Sequence, residues 1–183
     1  MKSLFVTYKP FLTFLLKFLL FYVVFAFIYQ SYLSQFEASK NEVDSISTSV
    51  ANQTKWLLNV FGQEAAIEKN EADPSLRIIF QGKYVSKMIE GCNGISVMIL
   101  FAAFVFAFSV KTANTILYIL VGTLVIHGLN VVRIALLTYA LYFYPQYQEI
   151  LHGTVFPLFI YGVVFLLWVL WVTKFSGYGK KNA

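Results

Sequence analysis

The sequence predicts an all-α membrane protein, a bundle of about four transmembrane helices with a small outward-facing segment. The 183 residues are 58% hydrophobic, 19% aromatic and only 13% charged, whereas soluble proteins are about 45–50% apolar and about 25% charged. Spanning a bilayer takes about 20 apolar residues, and four stretches with at most one charge each come near or exceed that length: 11–29, 94–110, 115–144 and 153–173. The third stretch is longer than a span needs, so we expect it to be tilted or broken near its outer end.

The first stretch is interpreted as an uncleaved anchor. Its apolar core is longer than the roughly 7–15 residues of a signal peptide, and no clear A-x-A cleavage site follows it. The predicted organisation is therefore an N-terminal transmembrane anchor at 1–31, an extracytoplasmic segment at 32–91, and a three-helix transmembrane core with a basic tail at 92–183.

The charge distribution predicts the orientation. Outside 32–91 the chain has eight Lys or Arg and one acidic residue, whereas 32–91 has six Lys or Arg and eight acidic residues. Basic ends favour the cytoplasm, so we expect a multi-pass protein of the cell inner membrane with both termini cytoplasmic. The expected environment of the helices, and their main interaction partner, is therefore the lipid bilayer. Nucleic acid is not an expected partner, because no basic patch is interleaved with aromatic residues on a soluble face.

The outward segment is predicted to contain a helix and a hairpin. Residues 41–61 have apolar side chains at helical spacing, which suits a helix lying on the membrane surface or on the bundle. The polar stretch 62–73 is predicted to be a loop. Two β-prone runs, 76–80 and 84–89, then flank Gln81-Gly82-Lys83, a hairpin pattern that leads directly to Cys92. Short polar stretches at 111–114 and 145–149 predict tight connections between antiparallel helices.

Cys92 is the only cysteine, which excludes an intrachain disulfide and a multi-cysteine metal site. It is predicted at the outer N-terminal end of the second helix, next to Gly91 and Gly94, which allow close backbone approach. A helix N-terminus favours the nucleophilic thiolate. The alternative is an inert, small apolar residue.

Arg133 is the one charge of the third stretch. A guanidinium within a membrane span costs about 2.5 kcal/mol or more, so such residues mark functional sites, unless the side chain snorkels to the interface. Asn130 lies three residues earlier on the same helix face and is predicted to hold the guanidinium in place.

His152 is predicted to begin the fourth helix, where the helix N-terminus keeps the imidazole neutral and suited to act as a base. The alternative is a solvated loop residue. His127 competes for this role, but it lies about 9 Å deeper than Arg133 and about 240° around the helix. We therefore interpret His127 as a packing residue.

Cys92, His152 and Arg133 suit acyl transfer: the thiolate attacks a carbonyl, His protonates the leaving amine, and the cation stabilises the oxyanion. The predicted spans contain no acidic residue, so there is no acidic pair for aspartyl proteolysis. There is also no HExxH motif or Gly-rich phosphate loop, and we expect no metal and no cofactor. Two alternatives remain open. In a non-enzymatic polytopic membrane assembly factor the three positions would be coincidental. A small transporter would use Arg133 as an anion site, but the first and fourth stretches offer few polar residues for a path.

These residues resemble the exosortase/archaeosortase family of membrane transpeptidases. The cysteine box of that family resembles C-[ST]-G-[IL], and Cys92-Asn93-Gly94-Ile95 departs from it only at Asn93. The arginine box N-x-x-R-I is matched at 130–134, and His152-Gly153 stands where the family histidine opens the last helix. The resemblance covers roughly 76–173, and the chain is similar to the short form labelled exosortase F.

The resemblance implies a cysteine protease or transpeptidase with catalytic Cys92, Arg133 and His152, supported by Asn130 and Gly94. It implies substrates that are membrane-anchored exported proteins with a C-terminal sorting tail. Because commoner members have more helices, it also leaves room for a partner membrane subunit.

Overall fold

The computed structural model describes residues 2–36, 41–109 and 112–176. Four apolar helices form the membrane part, as predicted, and a helix with a three-stranded sheet covers one end of them. The apolar helices are α1 (Lys2–Leu33), α3 (Ile95–Ala107), α4 (Thr112–Phe143) and the helical segment α5 (Pro145–Phe175). In the described part, α1, α4 and α5 are long and apolar enough to cross a membrane.

Two helices differ in length from the prediction. Helix α3 has 13 residues, so it is about 20 Å long and shorter than the hydrocarbon core of a bilayer, which is about 30 Å thick. Helix α4 runs without a break for 32 residues, or about 48 Å. The excess length of α4 is therefore not taken up by a break. Its last turns extend past the start of α3, which lies level with Asn130, and pack against the sheet.

Aromatic side chains fix the arrangement of the bundle. Helix α1 packs antiparallel on α3, with the Phe14 and Phe108 rings 4.3 Å apart between centroids. On the other side of α3, the Phe104 ring stacks on Trp168 of α5 at 4.4 Å. Helices α4 and α5 are antiparallel, and the Tyr118 hydroxyl donates a 2.7 Å hydrogen bond to the carbonyl of Leu167. Helix α3 thus contacts α1, α4 and α5, whereas α1 packs mainly on α3.

Close packing in the bundle depends on Gly122. The Phe101 ring of α3 is fully buried and lies over Gly122 of α4 so closely that a Cβ atom added there would overlap it. Gly128, on the same helix, has no atom near its Cβ direction. Gly122 therefore sets the distance between α3 and α4.

The helix predicted within 41–61 is α2 (Ser45–Val60), and the Asp44 carboxylate caps it by accepting a 2.8 Å hydrogen bond from the Ser47 amide. One face of α2 is buried, including Val50 and Leu58. That face packs on α4 and on the sheet. Of the two predicted positions, the helix therefore takes the one on the bundle.

The hairpin is confirmed and is part of a larger sheet. Strands β2 (Leu76–Phe80) and β3 (Lys83–Met88) pair antiparallel around Gln81 and Gly82. The stretch 62–73 is not the loop that the sequence predicted, because it contains β1 (Ala65–Lys69), which pairs antiparallel with β2. The sheet order is β1-β2-β3.

The predicted connections are shorter than expected. Residues 145–149, predicted as an outward loop, already belong to α5, which begins with a 3₁₀ turn at Pro145–Tyr147. Residues 112–114, predicted as part of an inner turn, form the first turn of α4. Lys111 and the basic tail after 176 lie outside the described residues.

Candidate active site

Cys92 lies in a short turn between the sheet and the bundle. Strand β3 ends at Met88, and a 3₁₀ turn, Glu90–Cys92, follows. Gly94 then adopts a left-handed conformation with φ of 83° and caps α3, a conformation that glycine takes at little cost. Cys92 is half-buried and lies three residues before Ile95. It therefore lies just before the first turn of α3, at the N-terminal end of the helix as the sequence predicts.

Asn130 holds the Cys92 turn in place. Its side-chain amide is buried and donates a 2.8 Å hydrogen bond to the Cys92 carbonyl. A Cβ atom on Gly94 would lie 3.1 Å from Asn130 Nδ2, so the glycine also allows the close approach. The sequence predicts that Asn130 holds the guanidinium of Arg133. Its amide instead donates its hydrogen bond to the cysteine turn.

Asn93, the one departure from the family's cysteine box, ties the turn to two other helices. It is 2% exposed, and its amide donates hydrogen bonds to the Tyr29 hydroxyl at 2.7 Å and to the Ser47 hydroxyl at 3.1 Å. Its side-chain oxygen accepts from the Ile95 amide at 3.0 Å. Sequence reasoning did not single out this network.

Arg133 lies on α4, about 32 Å along the axis from the start of that helix. The side chain is half-buried, and its Nε is buried without a hydrogen-bond partner among the described residues. Cys92 and Tyr161 of α5 lie close enough to the guanidinium to interact with it electrostatically when they are ionised. An unpaired buried donor costs about 1–3 kcal/mol, so this position is expensive to maintain without an acceptor.

His152 is exposed and lies in a π-helical turn, Leu151–Val155. Because α5 begins at Pro145, His152 is about two turns inside the helical segment and not at its start. The predicted effect of a helix N-terminus on this imidazole therefore does not apply. Single π turns inside α-helices are frequent at functional sites, because they change the direction of the side chains.

The three side chains line one cavity of about 240 Å³. Strand β3 and the apolar face of α4 form most of the remaining wall, and Gln148 of α5 adds a polar group next to His152. The further lining residues are Ile78, Tyr84, Val85, Ser86, Lys87, Met88, Ile89, Ile134, Leu137 and Leu141. The structure thus brings Cys92, Arg133 and His152 to one place, although the chain separates the first from the last by 60 residues.

His127 has a different environment. Its Nε2 is 2.7 Å from the side-chain oxygen of Gln53, so it joins α4 to α2, and it is not among the residues that line the cavity. This agrees with the interpretation of His127 as a packing residue. Among the described residues, no group of three or more His, Cys, Asp or Glu could hold a metal ion.

A thiol, an imidazole and a guanidinium around one cavity have the functional groups for nucleophilic attack on a carbonyl, proton transfer and anion stabilisation. The α4 wall of the cavity, formed by Ile134, Leu137 and Leu141, is apolar. Comparison with curated proteins and with solved structures gives no match. The family model described as transmembrane exosortase matches residues 4–173, a range that includes all of α2, α3 and α4, nearly all of α1 and α5, and all three of these side chains, so the chain belongs to the transmembrane exosortase family.

Proposed function

We propose that the chain is a membrane-embedded cysteine peptidase or transpeptidase, with Cys92 as the nucleophile, His152 as the acid and base, and Arg133 as the anion-stabilising group. The observation that carries the proposal is the shared cavity, in whose wall these three side chains lie. Residues that are costly in or near a membrane come together there, and the Arg133 Nε has no hydrogen-bond partner among the described residues. A substrate oxyanion would supply the missing acceptor.

The proposed reaction begins with transfer of the Cys92 proton to His152. The thiolate sulfur attacks the carbonyl carbon of the scissile peptide, a C–S bond forms, and the negative charge moves to the carbonyl oxygen, where Arg133 stabilises it. The C–N bond then breaks, and the departing amine takes the proton from the imidazolium of His152. The product is a thioester on Cys92. Water or an amine acceptor then attacks the thioester, gives a proton to the neutral His152 and releases the Cys92 thiolate, so that hydrolysis or transpeptidation respectively is completed and the thiolate regains its proton from His152.

Asn130 and Gly94 act in this proposal as positioning residues. The hydrogen bond from Asn130 fixes the Cys92 carbonyl, and Gly94 provides both the left-handed cap of α3 and the room for the Asn130 side chain. Together they fix the backbone from which the sulfur projects, which matters because a displacement of about 1 Å can cost about 10²-fold in rate.

The proposed substrates are exported proteins held in the membrane by a C-terminal tail, cut on the outer side of the cell inner membrane. The support is family membership together with the excess of Lys and Arg outside 32–91, which favours cytoplasmic termini. With both termini inside, the end of the bundle that carries the sheet and the cavity faces outward.

The test is a comparison of Cys92→Ser with the unchanged chain in cells that export a tail-anchored substrate. The volume changes little and no disulfide is lost, so Cys92→Ser should be inserted and expressed normally while processing stops. Mass spectrometry of the unchanged chain should detect a thioester-linked fragment on Cys92, since the chain has no other thiol. Undiminished processing by Cys92→Ser would refute the nucleophile assignment and favour a non-enzymatic assembly factor.

A further inference from the structure

Strand β3 is an edge strand whose free edge opens into the cavity. In the sheet order β1-β2-β3, it pairs with β2 on one side. Every residue from Tyr84 to Ile89 lines the cavity. Side chains of a strand point alternately to opposite faces, so a cavity on one face would be lined by every second residue. An uninterrupted run of lining residues indicates that the cavity opens along the edge of the strand.

The hairpin geometry decides which peptide groups lie on this edge. Gln81 and Gly82 both have positive φ, of 50° and 70°, as in a two-residue type I′ turn. Lys83 is then in the hydrogen-bonded pair next to the turn, and the following residue, Tyr84, is in a pair that is not hydrogen-bonded. The N–H and C=O of Tyr84 therefore point away from β2, toward the cavity edge.

The alternation continues after an irregularity. Val85 has no partner in the register, and Ser86 pairs with Ile78, which is the pattern of a β-bulge. Counting on from the hydrogen-bonded pair of Ser86 places the peptide groups of Lys87 on the free edge as well. Among the described residues, no backbone group of 84–88 bonds to backbone outside the sheet.

The long side chains at these positions do not cover the edge. The Arg77 guanidinium lies over the Tyr84 ring, 4.8 Å from its centroid. Lys87 Nζ is held 2.7 Å from Asp73 Oδ2, and the hydrogen bond to that carboxylate raises the pKa of Lys87. Edge lysines and bulges ordinarily prevent association of strands. Here the side chains of Tyr84 and Lys87 are held against the outer face of the sheet, so the peptide groups of these two residues stay accessible.

We propose that the free edge of β3 binds the substrate as an added strand, an extended peptide segment that pairs with the peptide groups of Tyr84 and Lys87. The proposal deepens the proposed function and rests on it. The strand continues through Ile89 into the Cys92 turn, so a peptide that follows the edge is led toward the sulfur. Main-chain hydrogen bonds supply affinity in this mode of recognition, and pockets for alternate side chains supply specificity. The α4 wall, Ile134, Leu137 and Leu141, favours an apolar side chain.

The test uses an extended probe with an electrophile at its end: an acetylated tetrapeptide of alternating leucine and alanine that carries a vinyl sulfone. The Cys92 thiolate adds to the vinyl carbon, a C–S bond forms, and the neighbouring carbon takes a proton, with no leaving group. Intact-mass spectrometry of the full-length chain in detergent follows the reaction, which is unambiguous because Cys92 is the only thiol. Isomers of the probe are each N-methylated at a single amide.

Strand pairing predicts an alternating pattern. Methylation of the amides that face β3 should slow the labelling about tenfold, which corresponds to about 1.4 kcal/mol, whereas methylation of the intervening amides should have a much smaller effect. Iodoacetamide, which needs no peptide site, measures the reactivity of the thiol itself. The ratio of the two labelling rates therefore isolates peptide binding from nucleophilicity.

A second comparison changes the protein. Tyr84→Pro removes an N–H that makes no ladder hydrogen bond, and proline is tolerated at such positions of edge strands. Tyr84→Ala is its reference for the lost ring. We expect the peptide-to-iodoacetamide ratio to be lower for Tyr84→Pro than for Tyr84→Ala.

Each contrary outcome has a distinct meaning. Equal effects of methylation at all amides, with normal iodoacetamide labelling, would overturn strand addition and leave the proposed function standing. A rate that falls as the protein concentration rises would mean that a second copy of the chain occupies the edge, and would also overturn it. If neither the peptide probe nor iodoacetamide labels Cys92, both proposals are overturned.

Discussion

The hydrogen bond between Asn93 and Tyr29 should couple the N-terminal helix energetically to the cysteine turn. Tyr29→Phe removes the hydroxyl that accepts the 2.7 Å bond from the Asn93 amide and keeps the ring that stacks on Tyr32. A hydrogen bond contributes about 0.5–1.5 kcal/mol net, so we expect Tyr29→Phe to lower the free energy of unfolding by about 1 kcal/mol.

Asn93→Ala should be more severe, because the side chain is 2% exposed and three hydrogen bonds depend on it. The Tyr29 and Ser47 hydroxyls and the Ile95 amide lose their partner, and the Ser47 hydroxyl is fully buried. We expect a loss of about 2–4 kcal/mol, at about 1 kcal/mol for each bond. If Asn93 is already alanine, removing the Tyr29 hydroxyl should cost little more.

A double-mutant cycle measures this coupling, using thermal unfolding of the purified chain in detergent. For a chain of this length, 1 kcal/mol shifts the melting temperature by about 2–4 °C, which such an assay resolves. The matched control is Tyr22→Phe, the same change on the same helix, where the hydroxyl has no hydrogen bond to the described residues and the ring stacks on Phe18. Effects of Tyr29→Phe and Asn93→Ala that add to within about 0.3–0.5 kcal/mol would refute the coupling.

Three further predictions concern the site, the packing and the orientation. Arg133→Lys should lower the processing rate by about 10²–10³, the usual scale for one oxyanion donor, because lysine lacks the planar fork of donors. His127→Ala, measured at matched protein levels, should have a much milder effect. Full activity of Arg133→Lys would mean that the arginine only anchors at the interface. Gly122→Ala should lower the melting temperature by several degrees, because overpacking costs about 1–3 kcal/mol. Gly128→Ala should not lower it, because there is open space around Gly128. Equal shifts would contradict the close contact of α3 and α4. A membrane-impermeant thiol reagent added to intact spheroplasts should label Cys92, and labelling only in inverted vesicles would reverse the orientation.

Features with a local cause could be predicted from the sequence. The membrane helices could be predicted from the apolar stretches, because charge is costly to bury in a bilayer. The β2–β3 hairpin could be predicted from Gln81 and Gly82, which take the positive φ that the turn needs. Strand β1 could not be predicted in this way, because it includes the charged residues Glu68 and Lys69. Its structure comes from pairing with β2, and pairing depends on tertiary context more than on the residues themselves.

The candidate site shows the same division. Cys92, Arg133 and His152 are conspicuous because each is costly or rare at its position, and all three line one cavity. The Asn93 network is invisible in the sequence, since its partners Tyr29 and Ser47 are 64 and 46 residues away. The start of the last helix was placed too late because Pro145 is acceptable in a first helical turn, so the polar residues after it continue the helix.

The shortness of α3 makes the thickness of the bilayer a variable in the environment of Cys92. A helix of 13 residues covers about 20 Å, so α3 is about 10 Å shorter than a typical hydrocarbon layer is thick. Lipids respond to such a mismatch by thinning locally, at a cost of fractions of a kcal/mol per Å. Because the Cys92 turn caps the short helix, local thinning would bring the surface of the bilayer closer to this turn. Shorter acyl chains would reduce the mismatch and raise the water content around the thiol, whereas longer acyl chains would increase the mismatch and strain the Cys92 turn.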